Sequence, residues 1–213
     1  MDELLVLVNG LPGAGKSTLG RSLATTLDAQ FLSKDAVKEA LAACVDDAEA
    51  VPELGGVAMD AVWALASAVR RSVVIDSWWF KPRDLRFVVA GIERARVDRV
   101  VEVWCRVPAE IARARYEARC RPAFFQDSQR LRNHWETWVE HAEPLGIVPT
   151  VCVDTTGPVD CTDLAARIER AARVWRSTDL RASGPNADSP PGLRGTDARP
   201  SLRLRRGESP EPL

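Results

Sequence analysis

Short apolar runs alternate along the chain with stretches in which apolar residues recur at helical spacing. The runs predict strands over residues 4–8, 30–32, 73–75, 99–107 and 148–153, and the spacing predicts helices over residues 16–27, 35–44, 55–70, 82–95 and 161–175. Strands that alternate with helices favour a parallel sheet covered on both faces. The pattern therefore predicts an α/β fold with a five-stranded parallel sheet, joined by right-handed crossovers and with the strand order left open.

The composition changes after residue 176. The last 37 residues contain six of the chain's 14 prolines and no aromatic residue. Such a segment cannot bury enough apolar surface to offset the conformational entropy lost on ordering. The sequence therefore predicts one folded domain over residues 1–176 and a disordered tail, rich in proline and arginine, over residues 177–213.

A glycine-rich loop lies between the first predicted strand and the helix that follows. Residues 10–17 fit the pattern GxxxxGK[ST], and their place between a strand and a helix is the one that phosphate binding requires. Successive backbone N–H groups converge on phosphate oxygens, Lys16 reaches the β- and γ-phosphates, and the Ser17 hydroxyl binds Mg²⁺. The loop predicts ATP and Mg²⁺ as ligands. The residues predicted to bind the nucleotide here are Gly10, Leu11, Pro12, Gly13, Ala14, Gly15, Lys16, Ser17 and Thr18.

Two aspartates follow predicted strands at the sheet edge where open α/β sheets bind ligands. Asp76 ends the run of residues 73–75, a position from which a carboxylate contacts Mg²⁺ or the phosphoryl acceptor, although strands also end in aspartate for reasons of turn geometry. Asp35 follows the second strand in the sequence Ser33-Lys34-Asp35. Taken alone, Asp35 is equally well explained as a helix N-cap.

The phosphate loop followed by Ser33-Lys34-Asp35 resembles the small P-loop phosphotransferases of the adenylate-kinase-like group. That group includes chloramphenicol phosphotransferase, zeta toxins, polynucleotide 5′-kinases and gluconate-type kinases. The resemblance covers about residues 1–175 and implies a P-loop NTPase three-layer sandwich. It also implies a catalytic role for Asp35, which would deprotonate or orient the acceptor hydroxyl.

The resemblance further implies a helical lid that carries arginines. A helix over residues 110–121 would present Arg119 and Arg121 as catalytic cations and Arg115 as a nucleotide ligand, closing over the phosphates. The alternative is a solvated arginine face. The lid departs from the His-Pro-Gly-His-like segment of chloramphenicol phosphotransferases, because Arg121 is followed by Pro-Ala-Phe-Phe. This departure leaves the acceptor open, and the aromatic residues 78–80 could either wall its site or plug the core.

The expected function is ATP- and Mg²⁺-dependent transfer of the γ-phosphoryl group to a hydroxyl of a small organic acceptor. The alternatives are a nucleotide or polynucleotide 5′-hydroxyl kinase and a regulatory ATP-binding module with slow hydrolysis. A formal net charge of −1 gives no electrostatic case for a nucleic-acid partner, because binding to the nucleic-acid backbone needs a concentrated basic surface, but it does not exclude a local basic groove. No apolar run reaches the roughly 20 residues of a membrane helix, so no membrane partner is expected and the expected location is the cytoplasm. The expected oligomeric state is a monomer or a homodimer.

Overall fold

Five parallel strands form the centre of the molecule in the computed structural model, which describes residues 3–175. The strands are β1 (Leu4–Asn9), β2 (Gln30–Ser33), β3 (Val73–Asp76), β4 (Arg99–Arg106) and β5 (Thr150–Asp154). Their order is β2-β3-β1-β4-β5, and every neighbouring pair is parallel. The predicted five-stranded parallel sheet is confirmed.

Seven helices cover the two faces of this sheet. They are α1 (Lys16–Thr26), α2 (Lys34–Ala42), α3 (Leu54–Ala68), α4 (Lys81–Ala95), α5 (Ala109–Glu117), α6 (Asp127–Glu140) and α7 (Cys161–Ala172), with a short 3-10 turn at Ala123–Phe125. Alternate residues of β1 face opposite sides, so Val6 and Val8 join the core under α1 and α7, while Leu5 and Leu7 join the core under α3 and α4. Every residue of β1 is buried, as expected for the central strand of a three-layer fold.

The arginine-bearing helix is shorter than its sequence predicts. Helix α5 ends at Glu117, and the chain then turns through Pro122 into the 3-10 turn. Proline restricts the residue before it to extended conformations, so a helix through Arg121 is disfavoured. The prediction of a helix to residue 121 is wrong, and Arg119 and Arg121 lie on the connection between α5 and α6. The predicted tail, residues 177–213, lies outside the described residues.

The carboxyl ends of three adjacent strands meet at one edge of the sheet. Ser33 and Asp76 are register partners at the ends of β2 and β3, and Asp76 is also the partner of Val8 near the end of β1. The glycine-rich loop leaves β1 at this edge. Residues from the three strand ends therefore surround one space, which is where ligands bind in open α/β sheets. No helix within residues 3–175 is long and apolar enough to cross a membrane.

Candidate active site

The glycine-rich loop needs glycine at defined positions. Gly10, Gly13 and Gly15 have positive φ angles of 141°, 87° and 82°. A Cβ at Gly13 would lie 2.0 Å from the carbonyl oxygen of Ala112, so the loop touches the backbone of α5. Helix α1 begins directly after Gly15 and has no side chain capping its first turn. Its first backbone N–H groups are therefore directed at the loop and suit an anion.

Lys16 is folded into the same loop. Its Nζ donates to the carbonyl oxygens of Gly10 and Leu11, each at 2.9 Å, and the residue is 7% exposed. Burial lowers the pKa of Lys16, while the neighbouring carboxylate of Asp76 acts in the opposite direction. The ammonium group thus lies where the loop would hold phosphate oxygens.

Asp76 and Ser17 place two oxygen-bearing side chains beside Lys16. Asp76 is 4% exposed at the end of β3, and burial raises its pKa, while Lys16 and a hydrogen bond with the Ser17 side chain oppose that rise. Ser33 Oγ lies 3.5 Å from Asp76 Oδ2. Mg²⁺ prefers oxygen ligands and commonly takes only one or two from the protein, so a hydroxyl and a carboxylate in this position fit the ion.

Asp35 is held by an arginine rather than by a helix end. Ser33 Oγ accepts from the backbone N–H of Ala36 and caps α2, so the interpretation of Asp35 as the N-cap is wrong. Arg121 Nη1 donates to Asp35 Oδ2 at 2.5 Å, and its Nε and Nη2 donate to Asp127 at 2.7 and 2.6 Å. The Arg121 guanidinium therefore fixes the direction of a carboxylate that remains 46% exposed.

A second set of contacts holds Arg121 itself. Its guanidinium lies 4.1 Å from the ring centroid of Phe125, and Tyr116 donates its hydroxyl to Asp127 Oδ1 at 2.8 Å. Burial alone would raise the pKa of Asp127, but the hydrogen bonds from Arg121 and Tyr116 hold it below its usual value. Arg121 is thus anchored on both sides.

The other two arginines predicted for the site point to different places. Arg115 donates to the carbonyl oxygens of Thr155 and Thr156 at 2.9 and 2.8 Å, which ties α5 to the loop after β5. The charge of Arg119 lowers the pKa of Lys16, although less than burial does, and its guanidinium lies 5.6 Å from the Tyr116 ring centroid. Arg119 also lines a cavity together with Pro12, Lys16 and Ser17 of the phosphate loop.

One cavity, called the central cavity below, joins these groups. Its charged lining comprises seven cationic side chains and three carboxylates, so positive charge dominates. Trp78 lines the cavity together with Phe125 and Trp138, whereas Trp79 is 3% exposed and packs in the core. The aromatic segment of residues 78–80 therefore contributes both to a cavity wall and to the core. The charged lining residues are Lys16, Lys34, Lys38, Arg83, Arg119, Arg121, Arg130, Asp35, Asp76 and Asp127.

A buried pair that the sequence analysis missed supports the start of the loop. Asn9 Nδ2 donates to Glu102 Oε1 at 2.9 Å, and Asn9 Oδ1 accepts from the backbone N–H groups of Gly10 and Trp79. Glu102 also accepts from the backbone N–H of Leu145, and its burial raises its pKa. The sequence signal for this pair is Glu102 itself, a single acidic residue inside the apolar run of residues 99–106.

Comparison with known proteins places the chain in a family. Residues 5–145 match the AAA_33 family, described as an AAA domain, and the chain belongs to that family. No curated protein matches the chain in sequence. The family and the fold together confirm the predicted resemblance to small P-loop kinases.

Solved structures share the fold at low sequence identity. A candidate kinase from Chloroflexus aurantiacus J-10-fl has a TM-score of 0.61 and 23% identity, with 80% of this chain and 99% of that chain covered. Kti12 from Chaetomium thermophilum, solved with ADP-AlF3, has a TM-score of 0.57 and 21% identity over 79% and 98% of the two chains. A gluconokinase from Sinorhizobium meliloti 1021 has a TM-score of 0.50 and 21% identity over 85% and 93%. These similarities establish a P-loop kinase-like fold.

Proposed function

We propose that the protein transfers the γ-phosphoryl group of ATP, with Mg²⁺, to a hydroxyl group of a small organic acceptor. The observation that carries the proposal is the position of Asp35. Its carboxylate lines the same cavity as Lys16, Ser17 and Asp76, and Arg121 holds it in place. A nucleotide-binding switch needs the phosphate side of this cavity but has no use for an oriented carboxylate opposite it.

Each residue has a defined task in the transfer. The loop N–H groups, Lys16 and Arg119 bind the phosphate oxygens and stabilise the charge of the transition state. Ser17 and Asp76 would hold Mg²⁺, which supplies further neutralisation of the β- and γ-phosphates when bound. The acceptor oxygen forms a bond to the γ-phosphorus as the bond to the β-phosphate oxygen breaks, and ADP leaves. Asp35 accepts the hydroxyl proton or its hydrogen bond.

An ADP-release screen tests this function. The purified chain is assayed with ATP and Mg²⁺ against sugars, sugar acids, aminoglycosides, phenicols, nucleosides and 5′-hydroxyl oligonucleotides. One acceptor class should raise ADP release well above the rate without acceptor, and Lys16→Ala should abolish that rise because the charge on the β- and γ-phosphate oxygens is lost.

Lys81→Ala is the matched control, because Lys81 forms an ion pair with Glu143 at 3.0 Å and does not line the central cavity. It should behave like the parent. Equal activity of Lys16→Ala and the parent, or ADP release that no acceptor increases, contradicts the proposed function.

A further inference from the structure

Three cations from the first turns of three helices meet beside Asp35. Lys34 is the first residue of α2, Arg83 lies in the first turn of α4, and Arg130 lies at the end of the first turn of α6. We call these residues the cationic trio. Helix N-termini carry partial positive charge, so cations there are electrostatically unfavourable. Side-chain charge and helix dipoles thus add up to one positive region.

Three nearby carboxylates each already bind an arginine. Asp35 and Asp127 bind Arg121, and Asp84 binds Arg83 through two oxygens at 2.6 and 2.7 Å. Within residues 3–175, no hydrogen bond or ion pair joins the side chain of Lys34 or Arg130 to a carboxylate. Two of the three charges therefore have no ion-pair partner among the described residues, and they repel each other.

Lys34 shows the effect of this crowding. Its Nζ lies 3.7 Å from the point that a Cβ at Gly55 would occupy, so the ammonium packs over a residue without a side chain. Burial lowers the pKa of Lys34, and Arg83 and Arg130 lower it further against the opposing charge of Asp35. A bound anion would relieve this repulsion, because it would compensate charges that the protein leaves unpaired.

The trio lines the central cavity together with Asp35. All three residues also line a neighbouring groove, together with Gly55, Trp63 and Phe87. Within the described chain, no residue of the phosphate loop lines this groove, so the trio extends from the central cavity, which it shares with the loop, into a space that the loop does not reach. The exposed Asp60 lines the groove but not the central cavity.

We propose that the phosphoryl acceptor carries an anionic group, a carboxylate or a phosphate, and that the cationic trio binds this group while Asp35 engages the hydroxyl. The inference rests on the function proposed above. The anion would sit between the central cavity and the groove, and the remaining part of the acceptor would extend toward Trp78 or into the groove. A neutral polyol would leave Lys34 and Arg130 unpaired in the complex.

Binding of three matched probes tests the inference without requiring catalysis. Glycerol, glycerate and glycerol 3-phosphate share a three-carbon hydroxylated skeleton and differ in charge. Their affinities are measured by NMR titration on the full chain saturated with Mg²⁺ and AMP-PNP, so that the phosphate loop is occupied. At least one anion should bind about tenfold more tightly than glycerol, as a charge-assisted hydrogen bond predicts. The better of the two anions identifies the acceptor group as carboxylate or phosphate.

Arg130→Gln is the test variant and Arg132→Gln its control. Arg132 lies two residues further along α6, is exposed and lines neither the central cavity nor the groove. Arg130→Gln should remove most of the preference for the anion, and Arg132→Gln should keep it. Equal affinity of the parent for all three probes, or equal behaviour of the two variants, overturns the inference.

The outcome is separable from that of the proposed function. If AMP-PNP does not bind, the proposed function fails, and the same comparison of Arg130→Gln with Arg132→Gln on the free protein still decides whether the trio binds anions. If AMP-PNP binds and the ADP-release screen finds an acceptor, but the two variants show the same affinity for it, the trio alone is disproved.

Discussion

At the scale of single residues, the Asp35 carboxylate both lines the central cavity and pairs with Arg121, so a proposed catalytic role must be separated from a structural one. Asp35→Asn keeps the size and a hydrogen-bond acceptor but removes the charge. We expect kcat to fall by about 10²–10⁴, the usual contribution of a positioned general base, with the KM for ATP and the melting temperature nearly unchanged. Steady-state kinetics and thermal unfolding measure these quantities.

The variant Asp127→Asn tests whether Asp35 acts as a base or only anchors Arg121. Asp127 accepts two of the three charged hydrogen bonds of Arg121, whereas Asp35 accepts one. If Asp35 only anchored Arg121, Asp127→Asn would cost at least as much kcat as Asp35→Asn. A larger loss for Asp35→Asn supports the base, and the reverse order contradicts it.

The pair Asn9 and Glu102 gives a second prediction at this scale. In Glu102→Gln the new amide group can satisfy the backbone N–H of Leu145 with its oxygen, but its NH₂ then meets the NH₂ of Asn9. Two buried donors facing each other should lower the free energy of unfolding by about 2–3 kcal/mol. Denaturant unfolding of the purified variant measures the change.

An exchange of the two groups provides the control. In the double variant Asn9→Asp with Glu102→Gln, the aspartate accepts from the glutamine, and its other oxygen still accepts from Gly10 and Trp79. Most of the lost stability should return. The 3.3 Å hydrogen bond from Asn9 Nδ2 to the Trp79 carbonyl oxygen is lost, because an aspartate has no donor for it. If the double variant is as unstable as the sum of its single changes, the donor conflict is not the cause.

Local sequence was sufficient for some site residues and not for others. Lys16 and Ser17 belong to a contiguous motif, and Asp76 directly follows a strand, so their positions at the sheet edge could be predicted. Asn9 and Glu102 are 93 positions apart and touch only because β1 and β4 are neighbours. Their pairing depends on strand order, which alternation of helices and strands does not encode.

At the scale of elements, the connection after α5 divides the arginines by role. Arg119 lines the central cavity with Lys16, whereas Arg121 is anchored between Asp35 and Asp127. Arg119→Ala should lower kcat more than it raises the KM for ATP, because the charge it neutralises is greatest during transfer, and it should leave the melting temperature unchanged. Arg121→Ala should lower both kcat and the melting temperature, because it leaves the half-buried Asp127 without its cation.

Arg113→Ala, in α5 just before this connection, is the control, since Arg113 forms an ion pair with Glu117 and is 46% exposed. It should match the parent in kinetics and stability. A kinetic loss in Arg113→Ala equal to that in Arg119→Ala would indicate that arginine charge on this segment acts through the fold and not on the phosphates.

Elements were easier to predict than the path between them. Each of the five strands was found, and the helices α1 and α4 were placed to within a residue or two, because apolar periodicity reflects burial against the sheet. The end of α5 was missed, since the arginines continue past Glu117 without a change in composition. Pro122 disfavours a helical Arg121 and is the available signal that the helix stops before residue 121, but it does not mark the end at Glu117.

At the scale of the whole molecule, the net charge of the chain does not reveal the charge around the central cavity. The chain has a formal net charge of −1, yet seven cations and three carboxylates line the central cavity. These residues come from α1, α2, α4 and α6, from the end of β3 and from the connection after α5. Composition fixes only the sum of the charges and says nothing about such a concentration, which exists only after folding. The proposal of an anionic acceptor therefore depends on the folded structure and not on composition.

The last prediction concerns the boundary between the domain and residues 177–213. Truncation after Arg176 should leave the melting temperature and the affinity for ATP nearly unchanged. The removed residues include six prolines and lack aromatic side chains, so they have little apolar surface to add to a core. Thermal unfolding with and without Mg²⁺ and ATP measures both properties.

The matched control is truncation four residues earlier, after Ala172, the last residue of α7. This shorter chain also loses Trp175, which is 6% exposed and belongs to the core under α3 and α4. Removal of a buried tryptophan costs about 3–5 kcal/mol, which corresponds to a fall in melting temperature on the order of 10 °C for a domain of this size. The two truncations should therefore differ sharply although they end close together. A large fall after the cut at Arg176 would mean that residues 177–213 contribute to the folded domain, and the boundary at 176 would be wrong.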